Sequence, residues 1–272
     1  MAKRDPREHD ALVEANEQPF LDHIIELRSR ILRALLVVVV AFVPTYYFAN
    51  DLYEFVAAPL MVHLPANSSM IATEVASPFL TPFKLAIYAA VFAAMPFILY
   101  QAWAFVAPGL YLKEKRFALP LLISSIVLFY SGTAFAYFLV FPMVFQFFAQ
   151  IIPTQVTWAT DINAYLDFVL KLFFAFGFAF EVPVAILLMV ASGLTSSEAL
   201  TRKRPYIIVG CFVIGMLLTP PDVISQLLLA IPTWMLFEAG VFFARFIERR
   251  AEEQAAAEEN THADAAEPDE SR

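Results

Sequence analysis

The stretch FAFGFAFEVPVAILLMV, residues 174–190, holds one carboxylate among apolar side chains. Glu181 has no charged residue within nine positions on either side. An ionisable group in a membrane span is a functional hypothesis by default, because it is costly to keep there. Pro183 cannot donate to the carbonyl of Ala179, so acid and freed carbonyl together predict a polar notch. Three uses stay open: docking a polar residue of a partner helix, drawing water into the membrane, or responding to a proton gradient. A proton relay needs a second ionisable residue at similar depth, and the pattern shows none.

A second group of charges lies in PFLDHIIELRSRIL, residues 19–32. At about 100° per residue, Asp22, His23, Glu26, Ser29, Arg30 and Arg33 share one helical face. The opposite face is apolar. This predicts an interfacial amphipathic helix that runs into a span. Glu26 and Arg30 have the i,i+4 spacing of a helical ion pair, worth about 0.2–0.5 kcal/mol. Arg28 projects from the apolar side, either to snorkel or to enter a binding site at the membrane surface. Glu114, in LYLKEKRF, stands between Lys113 and Lys115, which weakens its pull on a cation.

Other chemistry is sparse. The chain has no G-x-x-x-x-G-K-[ST] phosphate loop, no H-E-x-x-H and no legible nucleophile–base pair. Its four histidines lie outside the spans, and Cys211 is the only cysteine, so an intramolecular disulfide is impossible. No cofactor, metal site or nucleic-acid partner is expected, and the chain does not read as an enzyme.

These residues are carried by a membrane protein. Of 272 residues, 60% are hydrophobic and 16% charged, against about 25% charged in soluble domains. Six apolar segments approach the roughly 20 residues that cross a bilayer: 31–48, 83–107, 117–141, 164–192, 205–218 and 223–246. Their helices are apolar all round, unlike those of a soluble bundle. Sixteen of the 18 Lys and Arg lie before or at the start of the first segment, after the second and fourth, or at the end of the sixth and beyond. That alternation predicts six spans with both termini cytoplasmic. Pro44, Pro96, Pro183 and Pro232 each permit a kink. Residues 1–17 read as a flexible cytoplasmic N-terminus and not as a cleavable signal. Residues 248–272 carry nine acids and three arginines, a net of −6, and read as a disordered tail.

Several blocks resemble one family. HIIELRSRIL, MIATEVASPFLTPFKL, YQAWAFVAPGLY, FEVPVAI, RKRPYIIVG and GMLLTPPDVISQ are similar, in order, to the blocks of TatC, the multispanning component of the twin-arginine protein translocase. The resemblance covers residues 18–247. It implies an all-α membrane protein whose six helices form a curved, cup-like bundle, with the fifth and sixth short, in the bacterial cytoplasmic membrane. It implies a receptor that binds twin-arginine signal peptides on folded cargo. Such a receptor self-associates in a multi-copy complex, joins the single-span proteins TatA and TatB, and draws on the proton-motive force.

By matching position, the resemblance assigns signal-peptide contact to Glu26, Phe105 and Glu114; Arg28, read from its place on the helix, is the fourth candidate. It assigns partner docking or an intramembrane polar site to Glu181 and Gln226. Pro59, in an outer loop, together with Pro183 and Asp222 become structural or assembly positions. Carboxylates suit this task, because arginine forms bidentate bonds to them that lysine cannot copy. The competing reading is a proton- or ion-coupled small-molecule transporter using Glu181.

Overall fold

A computed structural model describes residues 6–62, 69–106, 115–151, 159–218 and 223–266. Among them the regular structure is helical, apart from one isolated parallel bridge between Ile71 and Asp161. Four helical stretches are long and apolar enough to cross a membrane: Ser77–Phe105, Leu119–Ile151, Ile162–Ala191 and Val223–Arg250. A fifth candidate is His23–Tyr47 with Ala49–Met61, bent by 80°, and Arg204–Leu218 is a shorter apolar helix. The chain divides into two compact units, Met1–Phe55 with Pro78–Leu110, and Val56–Ser77 with Tyr111–Arg272.

In the first unit, α1 (Pro6–Tyr47) fuses the amphipathic segment and the first span into one helix of 42 residues. Helical backbone thus already covers part of the segment expected to be flexible. α2 (Ala49–Met61) begins in this unit, and α3 (Ser77–Val106) is its other long helix. Thr45 Oγ1 on α1 donates to the Ala86 carbonyl of α3 at 2.9 Å. Phe42 and Tyr46 meet Phe83 edge-on, with centroids 5.4 and 5.9 Å apart. Ile25, Ile31, Leu35, Leu36, Val39 and Val43 remain exposed along α1. An apolar face of that extent is what a bilayer or a partner helix covers.

In the second unit, α4 (Lys115–Phe135) passes through a π-helical turn, Ala136–Val140, into α5 (Phe141–Ile151). The Phe141 N–H closes that turn on the Ala136 carbonyl. Pro142 follows at once and has no N–H for the carbonyl of Phe138, so the widened turn sits where a regular ladder would fail. α6 (Ile162–Ala179) crosses α4 at two glycines. A Cβ on Gly132 would lie 2.4 Å from the Phe176 carbonyl oxygen, and one on Gly177 would lie 2.6 Å from the Phe129 ring. Around this crossing Phe129, Phe141 and Phe176 are fully buried, and Phe141 meets Phe173 at 4.9 Å.

The segment before α3 is tied to the start of α6. Asp161 caps α6 by accepting from the N–H groups of Asn163 and Ala164, both at 2.9 Å. Its other oxygen accepts from the Thr73 N–H at 3.0 Å and the Thr73 hydroxyl at 2.6 Å. The Thr73 hydroxyl and these N–H groups hold the Asp161 carboxyl at about 2, below its ordinary 3.8.

The fourth span is two helices, α6 and α7 (Val182–Ala191). α8 (Ser197–Arg202), α9 (Arg204–Leu218) and α10 (Val223–Ala266) follow. α9 is as short as expected, but α10 runs for 44 residues, and its backbone is helical to Ala266 where a short helix and a disordered tail are expected. Glutamate and alanine are good helix formers, which accounts for the extension. Four side-chain contacts pin α8 and α9 to α10: Ser197 and its N–H to Glu248, Arg245 to Thr201 at 2.7 Å, and Arg204 to Glu238 at 2.5 Å.

Candidate functional site

α1 turns its polar stripe toward α3. Arg30 donates to Glu26 Oε1 from Nε at 2.9 Å and from Nη2 at 2.5 Å. Its third contact runs from Nη1 to Gln101 Oε1 on α3, at 3.3 Å. Gln101 is buried, the Arg30 side chain is 18% exposed and that of Glu26 is 35% exposed. One turn earlier, the His23 ring stacks on Phe105 with centroids 4.1 Å apart, and its Nδ1 lies 3.9 Å from Glu26 Oε2.

The structure therefore gathers Glu26 and Phe105 into one cluster, with His23 as the bridge. Arg28 is exposed on α1, two residues from Glu26 and off the stripe that meets α3. Glu114 lies outside the described residues. Sequence reasoning missed Gln101, which looks like an isolated polar residue in YQAWAFV. Its only available signal is that a buried amide needs a partner.

This arrangement can hold a cation. A half-exposed carboxylate offers one oxygen to Arg30 and keeps the other beside an aromatic stack. The guanidinium fork matches a carboxylate in a way an ammonium does not.

Glu181 occupies the break between α6 and α7. The Phe180 N–H returns to Phe176 at 3.0 Å and the Glu181 N–H to Phe178 at 3.1 Å, closing α6. Pro183 then enters the first turn of α7, where its missing N–H costs nothing. Of the four kinking prolines expected, only Pro183 stands at a break; Pro44, Pro96 and Pro232 lie within continuous helices. Ser125 on α4 hydrogen-bonds the Glu181 carboxyl, while Oε1 is buried with no hydrogen-bond partner among the described residues. On the far side of α7, Gly240 of α10 lets the backbones close: a Cβ there would lie 2.9 Å from Pro183 Cα.

A second acid within an apolar stretch is Glu238, in Val223–Arg250. Glu238 is paired with Arg204, so it is held as one half of an ion pair.

The remaining positions are structural in setting. Pro59 lies inside α2, not in a loop. The Gln226 amide donates to the Phe212 carbonyl at 2.9 Å, tying α10 to α9 beside Gly215. Asp222 lies outside the described residues. Among the described residues no group of His, Cys, Asp and Glu is placed to hold a metal ion.

Residues 22–232 match the family model described as Sec-independent protein translocase protein (TatC). A Sec-independent protein translocase protein TatC of Azotobacter chroococcum is 57% identical over 87% of this chain and 92% of its own length. The corresponding protein of Escherichia coli K12 is 58% identical over 84% and 89%. The fold is similar to the crystal structure of a twin-arginine translocase receptor, TatC, at a TM-score of 0.74 and 37% identity, over 82% of this chain and 98% of that one. None of these relatives supports a small-molecule transporter. The chain is a multi-pass membrane protein that belongs to the TatC family of Sec-independent protein translocase components.

Proposed function

We propose that this chain is the signal-peptide receptor and core subunit of a twin-arginine translocase in a bacterial cytoplasmic membrane, with both termini cytoplasmic. The observation that carries the reading is the Glu26–His23–Phe105 cluster. It sets a half-exposed carboxylate beside an aromatic surface, on the polar stripe of α1 that also carries Arg30. The carboxylate takes an arginine of the signal, and Phe105 packs its apolar flank. Glu114 supplies a second acid from the segment after α3, and Arg28 meets the signal from outside that stripe. Orientation follows from the basic residues grouped at the termini and near residues 113–116 and 202–204.

The single-span partners TatA and TatB dock along α6, α7, α9 and α10. Glu181 is the polar site of that surface, and Gln226 offers a carbonyl oxygen once its amide is spent on Phe212. Several copies assemble around folded cargo, and the proton-motive force drives export. A photoreactive residue at Phe105 should crosslink an Arg-Arg signal peptide and should not crosslink its Lys-Lys form. Equal labelling by both peptides, or none by either, would refute this reading.

A further inference from the structure

We infer that Arg30 is a built-in occupant of the Glu26 carboxylate, a guanidinium that the arriving arginine displaces onto Gln101. This rests on Glu26 being the arginine-binding acid of the receptor. Before any ligand arrives, two of Arg30's nitrogens already lie on Glu26 Oε1, and a third reaches Gln101 Oε1. The acid is thus presented with a competitor of the same chemistry as its ligand. That competitor is tethered one helical turn away, at high effective concentration.

Two consequences follow from the burial. Arg30 is the more buried partner of the pair, so once released it needs another acceptor or is left a poorly solvated charge. Gln101 is that acceptor: it is buried, neutral, on a different helix and already in contact. A neutral amide holds the displaced guanidinium without competing for the arriving one. The exchange also filters ligands. An arginine can reproduce the contacts Arg30 gives up, whereas a lysine ammonium returns a single point charge and cannot match the fork. Arg30 is therefore a positioning residue that sets the threshold for entry, and Gln101 sets the ease of exchange.

The two residues should act in opposite directions. In the full chain in lipid nanodiscs, binding of Arg-Arg and Lys-Lys signal peptides is measured by fluorescence anisotropy. Arg30→Gln should tighten the Lys-Lys peptide more than the Arg-Arg peptide, shrinking their ratio by about tenfold. Arg30→Lys, which keeps the charge and loses the fork, should shrink it by less. Gln101→Leu leaves the resting pair intact but removes the refuge, so it should weaken the Arg-Arg peptide by about fivefold. Adding Arg30→Gln to Gln101→Leu should cancel that loss.

Equal weakening of both peptides in Arg30→Gln would make Arg30 a mere brace for Glu26 and overturn the proposal. So would a Gln101→Leu receptor that binds as the parent does. Glu26→Gln separates the two levels. If it binds Arg-Arg peptide normally, the receptor reading of Glu26 falls and the proposal with it. If it loses binding while Arg30→Gln weakens both peptides, only the proposal falls.

Discussion

Glu26 on α1 is met by a guanidinium; Glu181, between α6 and α7, is met by the Ser125 hydroxyl. The first acid sits at an edge, half exposed, with cationic and aromatic neighbours. The second sits in an apolar unit where the helix stops, with one oxygen unsatisfied among the described residues. A carboxylate already paired with arginine is suited to trade one cation for another. A carboxylate held by one neutral donor is suited to accept a hydrogen bond or a water, and nothing beside it selects for positive charge. On the proposed function, the two acids separate recognition from assembly.

The largest expected effect is on that separation itself. Glu26→Gln should weaken Arg-Arg peptide binding by at least ~30-fold, since it strips the charge from a partly buried pair. Glu181→Gln should shift the same binding by less than about twofold. Titrating the peptide against both variants checks this, and a comparable loss in each would erase the contrast.

Next is the scaffold that carries Glu181. Gly132→Ala should destabilise the receptor by about 1–3 kcal/mol, because its Cβ meets a carbonyl that cannot withdraw. Gly210→Ala, in the interior of α9 with nothing within 4 Å of its Cβ, should not destabilise and should gain up to about 1 kcal/mol in the same thermal-unfolding assay. A smaller change is expected from Ser125→Ala. Loss of the hydroxyl at Glu181 should lower stability by ~1 kcal/mol and leave peptide affinity alone.

The smallest effect is confined to acid. Asp161 has a folded pKa of about 2 against an ordinary 3.8, so its clasp is fully stabilising above pH 3.8 and is lost as the pH falls through 2. Between pH 5 and 8 the melting temperature should not depend on this residue's charge. Asp161→Asn should flatten the acid limb of the melting profile.

The apolar segments and the amphipathic stripe of residues 22–33 were legible, because hydrophobic length and helical period are local properties. The i,i+4 pair of Glu26 and Arg30 was equally legible. Gln101, Ser125 and the Arg204–Glu238 pair were not. Their meaning lies in partners far along the chain, and a polar residue inside an apolar run looks alike whether it is matched or stray. Proline shows the same limit. Pro183 and Pro142 sit at a break and a π turn, while Pro96 and Pro232 are absorbed into continuous helices. The type of residue permits a kink, and the packing around it decides whether one forms.

The bond from Arg30 to Gln101 spans 71 residues of chain. At a synthesis rate of about 5–20 residues per second, Gln101 is made roughly 4–14 s after Arg30. For that interval the polar stripe of the nascent first helix has only the acids of its own segment to neutralise it. The i,i+4 pair is local, so it can form on the helix before the neighbour that supplies Gln101 is made.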